Sequence, residues 1–253
     1  MVCHGDPEVA ARAVVGAEAV VHLAAIPAPL GFAAHVVFGQ NTLATFCVLD
    51  AAARAGVPVA VIASSIAATG MSFSPHEVQP PHLPLDEATP TQAADPYALS
   101  KTTDEATAAM MSRRSGITTT ALRLPFLGTP SDRLPAQAEG HAARPGNGTR
   151  DVWSYLDTRD AARAVLLALG RTGGDSLVIS VAAPETLTPY PTEDLLEAFL
   201  PTVPRSMSFP GRTVPLDLTR SRTVLGFEAE HLWQQPDRQI DMTMFDGRSA
   251  RPV

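Results

Sequence analysis

The chain has 253 residues, enough for one large domain or for a nucleotide-binding core with a small appended lobe. Hydrophobic residues make up 45% and charged residues 18%, and no apolar run approaches the roughly 20 residues of a membrane span, which argues against a disordered or a transmembrane chain. The formal charge is -7, from 19 basic and 26 acidic residues with no Lys/Arg cluster, which argues against a nucleic-acid partner.

Lysine is absent apart from Lys101, which makes that residue conspicuous before any motif is considered. Cys3 and Cys47 fit neither a CxxC nor a zinc spacing, and two thiols in a chain of this size point to a reducing, cytoplasmic compartment. The opening MVCHGDPEVA lacks the basic and apolar regions of a secretory signal.

In chain order, Ala19 to Ala25 (AVVHLAA) is a short β-branched apolar run, read as a buried parallel strand. Gln40 to Ala55 places Leu43, Phe46, Cys47 and Ala51 at helical spacing, with Gly56 as a stop. Val57 to Ser64 returns as a second strand, which completes a βαβ unit. Met71 to Pro96 is proline-rich and reads as a surface loop able to cover a site. Asp95 and Pro96 predict a helix to Ser115, with Asp95 as N-cap and Gly116 as C-cap. Thr118 to Leu124 is the next strand, Thr129 to Gly148 a loop or mobile lobe, Thr158 to Leu169 a helix, Ser176 to Val181 a strand and Glu193 to Leu200 a short helix. The alternation marks an α/β protein.

Tyr97 and Lys101 stand four residues apart at the start of a helix, so both side chains share one face. A tyrosine hydroxyl with its pKa near 10 is a poor base at neutral pH, and a fixed ammonium beside it favours the phenolate. Ser65, at the end of the Val57 to Ser64 strand, could hydrogen-bond a carbonyl or alkoxide oxygen while the tyrosine moves the proton. Taken alone, the pair could equally be a surface Lys101–Glu105 contact of little energy. His22, His35, His76 and His82 show no ligand spacing and are read as structural or solvent-facing, with no metal expected.

As a set, the residues are more specific. AVVHLAA (19 to 25), Asn41 in QNTLATFCVLDAA, ASSIAATG (63 to 70), DEATPTQAADPYALSK (86 to 101), ALRLPF (121 to 126), YLDTRDAARAV (155 to 165) and VLGFEAEHLW (224 to 233) stand in an order that resembles the extended branch of the short-chain dehydrogenase/reductase superfamily, the NAD-dependent epimerase/dehydratase group. The resemblance implies a catalytic group of Ser65, Tyr97 and Lys101, with Lys101 lowering the tyrosine pKa and holding the nicotinamide ribose. It also implies that Leu23, Ala24 and Ala25 pass along the cofactor, that Asn41 lies near it and that Pro125 lies beside the nicotinamide. Asp160 matches an acidic family position, although a first-turn helix residue explains it as well.

The implied fold is a Rossmann-like doubly wound parallel sheet lacking its first βαβ units, with a small C-terminal substrate lobe. One domain is expected over 1–253, its core about 1–128 and 151–182 and its lobe about 129–150 and 183–253. The family's glycine loop, which holds the cofactor pyrophosphate, has no counterpart here, so NAD and NADP are not distinguished. A start placed too far downstream, or a fragment, is the expectation, and AVVHLAA would then be left as a sheet edge.

Thr69 in place of the usual Tyr, the short LRLPFLG and Phe126 near an expected Asn favour dehydrogenation or reduction of a small sugar, sugar acid or carbonyl compound. A sugar epimerase or dehydratase is the alternative, and an inactive cofactor-free binding protein a third. The partner implied is a small-molecule substrate, with a homodimer as an option and neither nucleic acid nor membrane.

Overall fold

The computed structural model describes residues 5–235 and 237–240. Its elements, in chain order, are α1 (Pro7–Ala13), β1 (Val20–His22), α2 (Ala34–Arg54), β2 (Val59–Ser65), α3 (Pro96–Ser115), β3 (Thr118–Leu124), β4 (Phe126–Gly128), α4 (Leu134–Ala143), β5 (Tyr155–Asp157), α5 (Thr158–Leu169), β6 (Ser176–Ser180), α6 (Thr192–Phe199) and α7 (Thr219–Leu225), with 3-10 turns at Ile66–Thr69 and Pro145–Asp151.

Four strands form a parallel sheet in the order β1-β2-β3-β6. Val20 lies opposite Ala60, Val61 opposite Thr120 and Ala121 opposite Val178. Successive strand residues serve opposite layers: Ala60, Ile62 and Ala121 pack with Leu49 of α2 and Met111 of α3, while Val61 and Leu122 pack with Ala161 and Ala164 of α5. The helices therefore cover both faces, and the Rossmann-like α/β class expected from the sequence is the class observed.

β1 is an outer strand whose far edge has no partner among the described residues, as the sequence led us to expect. Its ladder, Val20–His22, is shorter than the apolar run. Val21 and Leu23 are exposed there.

Local chemistry fixes the best-predicted elements. The Asp95 carboxylate accepts from Tyr97 N at 2.9 Å and Ala98 N at 2.8 Å, Pro96 begins α3, and Gly116 ends it at φ 75°. Asp157 caps α5 in the same way through Arg159 N at 2.8 Å.

Elsewhere the structure corrects the sequence reading. Thr129 to Gly148 is not a loop, because α4 buries Leu134, Ala138 and His141 at i, i+4 and i+7. Met71 to Pro96 is irregular but not merely superficial. Met71, Leu83 and Leu85 are buried in a cluster with Trp153, Leu195, Phe209 and Leu216, and Leu83 and Leu85 bridge to Arg205 and Leu216. Helix α1 escaped the reading although Asp6 caps it through Glu8 N and Val9 N. Helix α2 begins at Ala34 rather than Gln40, and at that length it is apolar enough by composition to cross a membrane. Its inner face is instead packed on α1 and α3, with Cys47 buried and its thiol on the Gly5 carbonyl at 3.4 Å. Cys3 lies outside the described residues.

Candidate active site

The site grows from the carboxyl end of β2. Ser65 closes the strand and caps the next turn, its hydroxyl accepting from Ala67 N at 3.1 Å. That turn ends at Gly70, where φ is 88° and the backbone of Gln92 comes so near that an added Cβ would lie 2.2 Å from its carbonyl carbon. Gln92 N donates to Thr69 O at 2.8 Å, so the segment leading to Asp95 is tied to the serine turn. Tyr97 follows at once on α3, with the Ser65 hydroxyl close enough to its own to favour ionisation. Phe73 packs edge-on against the tyrosine ring, with centroids 5.7 Å apart.

Lys101 lies one helical turn on, buried, its Nζ 5.7 Å from the Tyr97 ring centre. The ammonium donates to Ala63 O at 2.8 Å and faces Asp104 Oδ2 at 3.4 Å. Glu105, the partner considered from sequence, is taken elsewhere: it accepts from Arg123 Nε and Nη2, both at 2.9 Å, and from Ser64 Oγ at 2.6 Å. This buried network locks β2, β3 and α3 together around the site.

Electrostatics depart from expectation. Burial pushes the Tyr97 hydroxyl above its ordinary pKa, against the Ser65 hydrogen bond that favours ionisation, and the carboxylates of Asp104 and Asp95 push it up further. The ammonium that was to lower it is held against the buried Asp104 carboxylate, and burial lowers the lysine's own pKa. His22, buried behind Lys101, is lowered to about 4 by burial and by the lysine charge, so its imidazole is neutral at pH 7.

Burial raises Asp104 from 3.8 to about 6, with Lys101 opposing. The folded chain therefore holds this proton more tightly than the unfolded one, and the carboxyl's contribution to stability is present below about pH 4 and lost as pH rises through 6. Two pH units correspond to about 3 kcal/mol. Denaturant titrations should show the stability of the wild type relative to Asp104→Asn falling by about that amount between pH 4 and pH 7. A pH-independent difference would refute the assignment.

A cleft of about 290 Å³ opens over these groups, lined by Ser65, Tyr97 and Lys101, by Leu23 and Ala25 beyond β1, and by Pro125 between β3 and β4. Six of the sequence-predicted residues thus meet in one place. Ala24 and Asn41 do not line it. The Asn41 amide is used up behind the cleft, its Oδ1 accepting from Ile26 N at 2.7 Å and its Nδ2 donating to Ile26 O and Ser100 Oγ, both at 3.1 Å. It anchors the strand-end loop beside the cleft.

Asp160 is buried in α5, away from the cleft lining. Burial pushes its carboxyl up, but hydrogen bonds from His231, Arg163 and the Glu230 amide outweigh this and hold it below the usual range. Its role is to tie the C-terminal segment to α5.

At the cleft's other end sequence reasoning singled out Phe126 but missed Ser72, Phe73, Arg133 and Asp151. Ser72 Oγ donates to Asp151 Oδ1, and burial raises the Asp151 pKa against that bond. Val152 and Trp153 follow with φ of 46° and 54°, two consecutive non-glycine residues in the left-handed region, at a cost of about 1–2 kcal/mol each. Trp153, fully buried with its indole N–H on Pro145 O at 2.7 Å, holds that conformation.

A parallel sheet wound on both faces, with a serine at a strand end and a Tyr/Lys pair on the following helix, defines a Rossmann-type α/β protein of the short-chain dehydrogenase/reductase kind. The model of the NAD dependent epimerase/dehydratase family matches residues 5–182, and the chain belongs to that family. Among curated proteins no sequence matches.

Solved structures agree in fold. A UDP-N-acetylglucosamine 4-epimerase from Bacillus cereus superposes with a TM-score of 0.63 at 20% identity, over 90% of this chain and 78% of that one. A dTDP-glucose 4,6-dehydratase double mutant from Streptomyces venezuelae with NAD bound gives 0.57 at 21%, over 89% and 72%. A mutated uronate dehydrogenase gives 0.55 at 22%, over 82% and 66%. These scaffolds serve three different net reactions, so the fold alone does not choose among them.

The family's cofactor is NAD, and the residues fit one end of it. The cleft has small or ring-constrained walls at Ala25 and Pro125 and hydroxyl and ammonium donors at its floor, which suits a nicotinamide and its ribose. For the pyrophosphate, no glycine-rich turn from a strand into a helix N-terminus occurs among the described residues.

Proposed function

We propose that this chain carries the proton-transfer site of an NAD-dependent oxidoreductase acting on a hydroxyl or carbonyl of a small sugar, sugar acid or related carbonyl compound. The observation that carries the reading is the Ser65–Tyr97 hydroxyl pair on the floor of a cleft with Lys101 behind it. Ser65, already fixed by Ala67 N, holds the substrate oxygen. Tyr97 takes the hydroxyl proton during oxidation and returns it during reduction. Lys101, fixed by Ala63 O and Asp104, keeps positive charge beside the phenolate and would hold the ribose, with Leu23, Ala25 and Pro125 along the nicotinamide. NAD, when bound, supplies the hydride acceptor or donor.

An epimerase or dehydratase is the second reading, favoured by the family match. Incubation of the full chain with NAD and sugar or sugar-acid substrates separates the two. Net growth of nicotinamide absorbance supports the dehydrogenase. Product formed without it overturns that reading in favour of internal cofactor recycling. Direct titration with NADH addresses cofactor use itself: failure to bind it would leave only a cofactor-free binding role.

A further inference from the structure

We infer that Asp151, Ser72 and Arg133 form the substrate-recognition end of the cleft, and that its substrate is a monosaccharide-sized compound bearing an anionic group for Arg133 and a hydroxyl for Asp151. This rests on the proposed oxidoreductase reading for the location of the reacting carbon, but the recognition chemistry stands on its own residues.

Arg133 and Asp151 line the same cleft as Tyr97, and the Asp151 carboxyl is held by Ser72 rather than by Arg133. The Arg133 guanidinium lies 4.7 Å from the Phe126 ring centre and meets no carboxylate among the described residues. Stacking fixes its plane and leaves its N–H groups for a ligand, a geometry suited to a carboxylate or phosphate. Asp151 forms no ion pair at contact distance: the adjacent Arg150, whose charge still acts on it, donates to Ser74 O at 2.6 Å, and burial favours the protonated carboxyl. Of the two carboxyl oxygens of Asp151, Oδ1 takes the Ser72 hydroxyl and Oδ2 has no hydrogen bond within the described residues.

A guanidinium and a carboxyl that share a cleft without meeting enclose space for a ligand carrying an anionic group and a hydroxyl. The left-handed pair that follows Asp151 supports this, because backbone strain persists where the surroundings hold a group in a fixed direction. At about 290 Å³ the cleft is at the small end of ligand sites, in keeping with a single sugar ring or a shorter hydroxy acid. A neutral aldehyde or ketone would leave the Arg133 charge unused.

The test is calorimetric titration of the full chain at physiological salt with D-glucuronate, D-glucose 6-phosphate and D-glucose. At least one anion should bind about tenfold or more tightly than glucose, a difference set by one charge-assisted pair. The carboxylate and phosphate arms decide which anion the arginine takes. Arg133→Met, at an exposed position, should erase the anion preference, and Asp151→Asn should weaken all three compounds without erasing it. Equal binding of anions and glucose, no binding of either anion, or a preference that survives Arg133→Met overturns the inference. Anion preference without any nicotinamide-dependent turnover would sink the oxidoreductase reading alone. Turnover on neutral carbonyl compounds with no anion preference would sink only the recognition inference.

Discussion

Tyr97→Phe is expected to lower kcat by a factor on the order of 10²–10⁴, with substrate affinity nearly unchanged. The substitution removes one oxygen and little else. The phenyl ring keeps its edge contact with Phe73, the Asp95 cap uses backbone N–H groups that the variant retains, and Ser65 keeps its bond to Ala67 N. Folding should therefore be preserved, and the loss should fall on the proton-transfer step alone. A factor of that size is about 3–5 kcal/mol of transition-state stabilisation, more than one neutral hydrogen bond to a substrate supplies. Steady-state kinetics beside a calorimetric affinity for substrate would check it. Comparable turnover in the variant would remove Tyr97 from the chemistry. The raised tyrosine pKa gives the profile a direction as well: reduction has its acid available throughout the neutral range, whereas oxidation should quicken as pH rises toward the pKa of Tyr97.

What was legible in the sequence is what local chemistry determines. Helix α3 could be bounded to the residue because Asp95, Pro96 and Gly116 act on their own neighbours, and Tyr97 and Lys101 share a face by helical geometry alone. The strand-end position of Ser65 followed from a β-branched run. The substrate end was not legible, because Ser72 and Asp151 are 79 residues apart and meet only through the fold. Asn41 could be placed near the site but not given its task, since its partners, the backbone of Ile26 and the Ser100 hydroxyl, are brought to it only by the fold. The direction of the Tyr97 pKa was misjudged for a related reason. Lys101 was visible, but the depth of burial and the countercharge of Asp104 are properties of packing.

Gly70→Ala is the other substitution with a large expected effect, on stability and on the site together. At φ 88° an alanine costs about 1–2 kcal/mol from backbone strain. Its Cβ would also lie 2.2 Å from Gln92 C, 2.3 Å from Ala93 N and 2.6 Å from Gln92 O, all main-chain atoms that no side-chain rotation can move aside. The segment must shift, which breaks the Gln92 N to Thr69 O bond and loosens the approach to Asp95 and Tyr97. A combined loss of about 3 kcal/mol or more follows, lowering Tm by roughly 6–12 °C in a domain of this size. Gly56→Ala is the matched control: φ is 71° but nothing lies within 4 Å of the added Cβ, so only the strain cost of about 1–2 kcal/mol applies. The difference between the two variants isolates the close approach that sets the Ser65 turn beside Tyr97. Equal melting losses would show that the 86–95 segment yields without cost, and that the serine and tyrosine are brought together by α3 packing alone.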